Sequence, residues 1–308
     1  MSVTPSGEAP RALGEGESEA VTIAFSDEAA DVCGVARIGR ALTDGTILAS
    51  GLAVMFAGGV PVAVRAEGGG ATSGDPDGGW AGATVAGVST TVQEPLRSWS
   101  VDFESEDGRF GFSLDLTATS EPAELDPESA AARQGGMSGY EQLVRVRGTV
   151  TVDGAERPFT GRGQRGRSWG APDWDRLRVA RTLGVWLDGD VGLTLTAVRP
   201  AKATSHADEA VQAVLLAHGE NGDGRAVPTV VADPRLSTTY DADGRQRHAG
   251  LELYLSEDAD YARRVAGEVA CGTTLDLGRL RLDCAFFRWR MEGRSGVGRY
   301  DVLTRVAD

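Results

Sequence analysis

The chain reads as an all-β protein built as two consecutive antiparallel β-barrel or sandwich domains. Three observations lead there. Apolar and polar residues alternate with a period of two through most of the chain, the signature of strands with one dry face. Its 308 residues include 42 glycines, which are disfavoured inside helices and favoured in turns and bulges. Strand-like runs recur with turn residues between them, while helical periodicity is scarce.

Taken in order, residues 1–18 are polar and rich in Gly, Pro and Glu, and read as a disordered lead-in. Residues 19–163 form the expected first domain and 164–308 the second. Residues 67–79 are almost all Gly, Asp, Ser and Pro and read as a loop. Trp99, Val101 and Phe103 alternate with Ser100 and Asp102. After a turn at 104–108, Phe110, Phe112, Leu114 and Leu116 alternate with small or polar residues, which predicts a hairpin. Residues 121–136 read as an exposed excursion. Val144, Val146, Val150 and Val152 predict a strand that ends at an Asp153-Gly154 turn. A dense Gly/Arg/Trp cluster at 161–172 is the expected boundary between domains. Val191, Leu193, Leu195 and Ala197 predict another strand. Residues 207–217 suit a short helix or a strand, and 258–265 a weaker helix. Leu275 and Leu277 share one face, and Leu280, Leu282, Cys284 and Phe286 the next. Gly278 between them predicts a turn or a bulge, because a one-residue slip inverts the faces.

Composition narrows the function. The net charge is −14, against the basic face that nucleic acid or an anionic membrane demands. No apolar run is long enough to span a bilayer. The three cysteines show no CxxC spacing, which predicts a reduced, cytoplasmic protein. The single lysine, Lys202, lies outside every Gly-rich stretch, so there is no phosphate loop of the Walker type.

Several formal motifs fail on context. Residues 161–166 match GxGxxG, but Ser168, Trp169, Gly170 and Pro172 follow where a helix must begin. Residues 166–170 match GxSxG without the strand–turn–helix of a nucleophile elbow. Three scattered His and three scattered Cys make no metal site. Asp241 to Gly244 is a turn rather than a calcium loop. No metal or cofactor is expected.

The segment Gly163–Trp174, GQRGRSWGAPDW, concentrates two Trp, two Arg, a Ser and an Asp. One reading is structural, an indole plugging a barrel end with Arg stacked on it. The other is a pocket wall, since indole faces grip apolar ligands and stabilise cations. Asp173 then transfers a proton if burial raises its pKa.

This segment resembles the motif GxGxRDHSWGxRDW of the carotenoid 1,2-hydratase (hydroxyneurosporene synthase) superfamily. Gly161, Gly163, Arg165, Ser168, Trp169, Gly170, Asp173 and Trp174 fit it. The resemblance implies two lipocalin-like domains with a hydrophobic ligand at or near their junction. It implies cofactor-free chemistry on isoprenoid or polyene chains: hydration, isomerisation or ring closure. The departures are Gly166 and Arg167 in place of the motif's first Asp and its His, and Pro172 in place of its second Arg.

The expected function is therefore a cofactor-independent cyclase, isomerase or hydratase acting on a terpenoid or other hydrophobic small molecule. The alternatives are a lipid- or terpenoid-binding carrier of lipocalin type and a structural module. Asp173 and Arg165 are the candidate catalytic residues. Trp169, Trp174, Trp99, Phe286, Arg288, Trp289 and Tyr300 are candidate substrate-binding residues. A homodimer is compatible with the sequence; nucleic acid and membrane insertion are not expected.

Overall fold

The computed structural model describes residues 3–27, 31–71, 82–205, 208–218 and 224–306. It divides into two compact units, 1–124 with 139–171, and 125–138 with 172–308.

In unit 1 the strands are β1 (Ser18–Asp27), β2 (Val32–Thr43), β3 (Thr46–Ala57), β4 (Val60–Ala71), β5 (Val88–Glu94), β6 (Ser98–Glu104), β7 (Gly111–Ala118), β8 (Ala123–Leu125), β9 (Met137–Val152) and β10 (Ala155–Gly170). They pair in the order β4-β3-β2-β1-β10-β9-β7-β6-β5, with β8 set beside β9. β5 also lies against β2 and β3, so the twisted sheet curls back on itself into a lipocalin-like shell.

Unit 2 holds β11 (Leu177–Leu187), β12 (Val191–Pro200), β13 (Ala210–His218), β14 (Ala226–Val230), β15 (Asp233–Tyr240), β16 (Gln246–Tyr254), β17 (Arg263–Asp276), β18 (Leu280–Met291) and β19 (Arg294–Arg305). Their order is β14-β13-β12-β11-β19-β18-β17-β16-β15. That is the topology of unit 1 repeated, a duplication invisible as a short sequence repeat.

Alternation explains both cores. Val21, Ile23 and Phe25 of β1, Trp99, Val101 and Phe103 of β6, and Val144 and Val146 of β9 all face the interior of unit 1. Phe25 meets Phe112 and Phe159 edge to face, the arrangement that ring quadrupoles favour. In unit 2 Leu183, Val185, Phe287, Trp289, Tyr300 and Val302 fill the same place. The hairpin of Trp99 and Phe112 forms as predicted, with Trp99 opposite Leu116 and Phe103 opposite Phe112. The turn after β9 has Asp153 and Gly154 both at positive φ, the two-residue connection that matches strand twist. Gly278 has φ 76° and turns the chain between β17 and β18.

Other expectations are corrected. Residues 3–18 are not a disordered lead-in: Pro5–Glu8 form a 3-10 turn, and Glu8 is buried. The excursion at 121–136 is not plain loop. It contains β8 and a short helix, α1 (Ala130–Gly135), capped by Ser129 and packed on β12 and β13 with Ala131 and Ala132 buried. Of the two readings of 207–217 the strand forms, over Ala210–His218, whereas 258–265 hold no helix, since β17 starts at Arg263. Residues 161–170 are the C-terminal part of β10, and the units divide after Ala171, within the 161–172 range. Of the loop expected at 67–79, residues 67–71 belong to β4 and the rest lies outside the described residues, as does His206.

Candidate functional site

Strands β9 and β10 form the middle of unit 1 and carry chemistry on both faces. Odd residues of β10 point inward, because Arg165 pairs with Ile23 and Arg167 with Val21 of the core. Even residues point outward.

The inner face is a buried ion cage. Arg165 is 1% exposed and donates to Glu8 through both terminal nitrogens, at 2.8 and 2.6 Å. Tyr140 of β9 donates its hydroxyl to the same carboxylate at 2.8 Å. The Arg165 guanidinium lies over the Trp99 ring, 4.4 Å from its centroid. Beside it, Glu19 accepts from Arg167 at 2.6 Å and from Arg40 at 2.7 Å. Arg167 also donates to the backbone oxygens of Gly7 and Ala9. Burying this many charges is tolerable only because nearly every one has an opposite partner with good geometry.

The outer face differs. Gly166 stands where the resembling motif has Asp, and the vacated space is filled from the neighbouring strand. A Cβ at Gly166 would stand 2.2–2.4 Å from the carboxylate atoms of Glu141 on β9. One pleat along the same face, Gln164 is 1% exposed, and neither end of its amide has a hydrogen-bond partner among the described residues. A buried amide left unsatisfied is uncommon in native structures.

The predicted site residues divide between the two units. Arg165 and Trp99 are in the inner cage of unit 1. Trp169 is half-buried at its edge, with Arg11 stacked 4.5 Å from the ring centroid. Inside unit 1 each of two indoles thus carries an Arg, Arg165 on Trp99 and Arg11 on Trp169. The others belong to unit 2. Asp173 is corrected: its side chain is 54% exposed, pairs with Arg176 and caps a turn by accepting from the Asp175 amide. The burial its catalytic role required is not there. Trp174 is half-buried, and its carbonyl accepts from Arg305. Arg288 is also corrected, being exposed on the face opposite Trp289. Trp289 stacks on Phe287 at 5.3 Å within the core, and Phe286 meets Trp186 on the reverse face of the sheet.

Tyr300 anchors a second buried polar group. Its hydroxyl lies 2.7 Å from Thr238 and accepts from Arg181, which pairs with Glu209 at 3.1 Å. Elsewhere in unit 2 an open pocket of about 250 Å³ is lined by Val191, His218, Arg263, Met291 and Arg294, among others. Among the described residues no group of three His, Cys, Asp or Glu is placed to hold a metal, and no helix is long and apolar enough to cross a membrane.

Burial raises the Tyr140 phenol above the ordinary 10.0, with Arg165 opposing and Glu8 adding to the rise. Burial likewise raises Tyr300. An unfolded phenol begins to ionise near 10.0 while these two keep their protons. The stability they carry is complete below that pH and is lost as pH rises from it towards the folded values. Each should steepen the alkaline fall in unfolding free energy by up to about 1.4 kcal/mol per pH unit. Denaturant unfolding across a pH series should therefore show a shallower alkaline slope in Tyr140→Phe/Tyr300→Phe, and an unchanged slope would contradict the assignment.

Shell, repeat and buried cage together define a duplicated lipocalin-like β protein. The chain belongs to the DUF7064 family, a domain of unknown function, whose profile matches residues 4–306. No curated protein sequence matches it. A candidate AttH from Nitrosomonas europaea is similar in structure, with TM-score 0.61 at 13% identity over 94% of this chain and 92% of that one. CghA with Sch210972 gives 0.58 at 13% identity over 94% and 88%. Kievitone hydratase from Nectria haematococca gives 0.62 at 11% identity over 93% and 88%. At these identities the likeness establishes a common fold.

Proposed function

We propose that the protein is a cofactor-independent enzyme acting on a hydrophobic isoprenoid or polyene small molecule, by cyclisation, isomerisation or hydration, at the outer face of β9 and β10. One observation carries this reading: the Glu141 carboxylate fills the space above Gly166, beside a buried Gln164 whose amide has no hydrogen-bond partner among the described residues. Support also comes from the fold shared with a protein named as a hydratase and with CghA in its structure with Sch210972.

The chemistry needs only these side chains. For hydration, the Glu141 carboxyl gives its proton to an alkene carbon and leaves a cation. Water adds to that cation and returns a proton to the carboxylate. For isomerisation, the same group removes one proton and replaces it elsewhere. The Gln164 amide nitrogen donates to a substrate oxygen, or its oxygen orients the water. Proton transfer from a positioned group contributes about 10²–10⁴-fold. Cys33, Cys271 and Cys284 form no disulfide, which fits a reducing cytoplasmic setting.

The test is incubation of the purified protein with acyclic and cyclised isoprenoids and polyenes, without added cofactor. Glu141→Gln should reduce turnover by about 10²–10⁴-fold while ligand affinity stays close to that of the parent. Recovery of only unchanged ligand, or full turnover by the variant, would overturn the reading. The second reading is a carrier, favoured by the surface position of Asp173, the one acid kept from the resembling motif. A carrier would lose ligand affinity in Trp169→Ala or Trp174→Ala and be indifferent to Glu141→Gln.

A further inference from the structure

We infer that the polar chamber inside unit 1 is a carboxylate-binding site whose present occupant is the chain's own Glu8. The segment that delivers Glu8 does not look like part of the wall. Residues 4–6 and 9–12 are exposed, Gly7 is half-exposed, and only Glu8 is buried. One acidic side chain reaches down from a surface strap that makes no strand.

The receiving surface belongs to the sheet. Arg165 offers a two-pronged guanidinium, the geometry that matches a carboxylate, and Tyr140 adds a hydroxyl. Arg167 reaches the strap only through the backbone oxygens of Gly7 and Ala9, contacts that any acceptor could replace. Donors also exceed acceptors here. Trp99 Nε1, Arg165 Nε and Arg167 Nε are buried and have no acceptor among the described residues. Glu8, held by the strap, leaves these donors unused; a free carboxylate, with two oxygens and about four lone-pair sites, is not bound to the strap's geometry. When the strap lifts, Trp169 is left beside the chamber mouth and gives an apolar body a ring to lie on. The ligand class is therefore an amphiphile with a carboxylate head.

A tethered competitor acts at an effective concentration of about millimolar. It lowers the apparent affinity of a free ligand by the fraction of time the chamber is open. Removing the Glu8 carboxylate should reveal the site.

The probes are sodium octanoate and, as a neutral control, 1-octanol, titrated calorimetrically into the full-length protein and its variants. Glu8→Ala should bind octanoate about tenfold or more tighter than the parent. Octanol should show no such gain, and adding Arg165→Met should abolish it. Glu8→Gln, which keeps the space filled but gives up the charge, should bind octanoate more tightly than the parent and less tightly than Glu8→Ala. A folded Glu8→Ala that takes octanoate no better than the parent, or takes octanol equally well, overturns the inference. If Glu8→Ala does not fold, refolding it in sodium acetate decides the matter: recovery of native circular dichroism supports the site, and no recovery overturns it. The readout is binding at the inner face, whereas the proposed enzyme is read by turnover at the outer face, so either can fail without the other.

Discussion

Arg165→Met should lower the unfolding free energy by about 3–5 kcal/mol, the usual cost of leaving a buried charge without its partner. Arg165 and Glu8 are 1% and 4% exposed at their side chains, so water cannot take over the lost bonds. Tyr140 alone would then face the Glu8 carboxylate. The decisive measurement is a double-mutant cycle in urea. Glu8→Leu combined with Arg165→Met removes both charges and leaves apolar groups in their place, so most of the loss should return. Strict addition of the two single losses would mean that the ion pair is not what holds the strap. Trypsin gives an independent reading, because Arg11 should become a faster cleavage point once Glu8 no longer ties the strap down.

That result also bears on what could be read from the sequence. Alternation around Trp99 and Phe112 was legible because one face of each strand is dry and the other wet. The Glu8–Arg165 pair was not, since its members are 157 residues apart and the composition of residues 1–18 matches that of unstructured chain. Asp173 and Glu141 show the limit of motif reading. A motif fixes residue identity but not burial, and Asp173 falls in a surface turn. Glu141 carries no motif signal of its own. The clue available was Gly166, a missing side chain within a strand, which asks what fills the space. Parity placed Trp289 and Arg288 on opposite faces, as the structure does. It could not show that the Arg288 face emerges into solvent at that end of β18, although Phe286 on the same face is fully buried.

The glycine cluster at 161–170 is the end of β10, just before the units divide, and its close packing yields the second large effect. Gly163→Ala and Gly298→Ala should each cost about 3 kcal/mol or more, at the upper end of what overpacking costs. A Cβ at Gly163 would stand 2.1 Å from the Ala24 carbonyl oxygen, and one at Gly298 would stand 2.1 Å from the Gly184 oxygen. Both oxygens belong to paired backbone, where β10 meets β1 and β19 meets β11. Neither can swing aside as a side chain would without breaking its ladder. The spacing repeats as well: Gly161 and Gly296, two residues earlier, press on the Ser26 and Trp186 oxygens in the same way. The Gly-x-Gly of the motif is thus a device for bringing the last strand of each shell hard against the first, and it is used twice in one chain. Gly70→Ala is the control. Gly70 lies in β4 with nothing within 4 Å of its added Cβ, so the substitution should be neutral or stabilise by about 0.4–1 kcal/mol through the unfolded chain. Urea unfolding of the three variants should therefore split by sign. If Gly163→Ala behaved like Gly70→Ala, the close strand contact would have no energetic weight and these glycines would need another explanation.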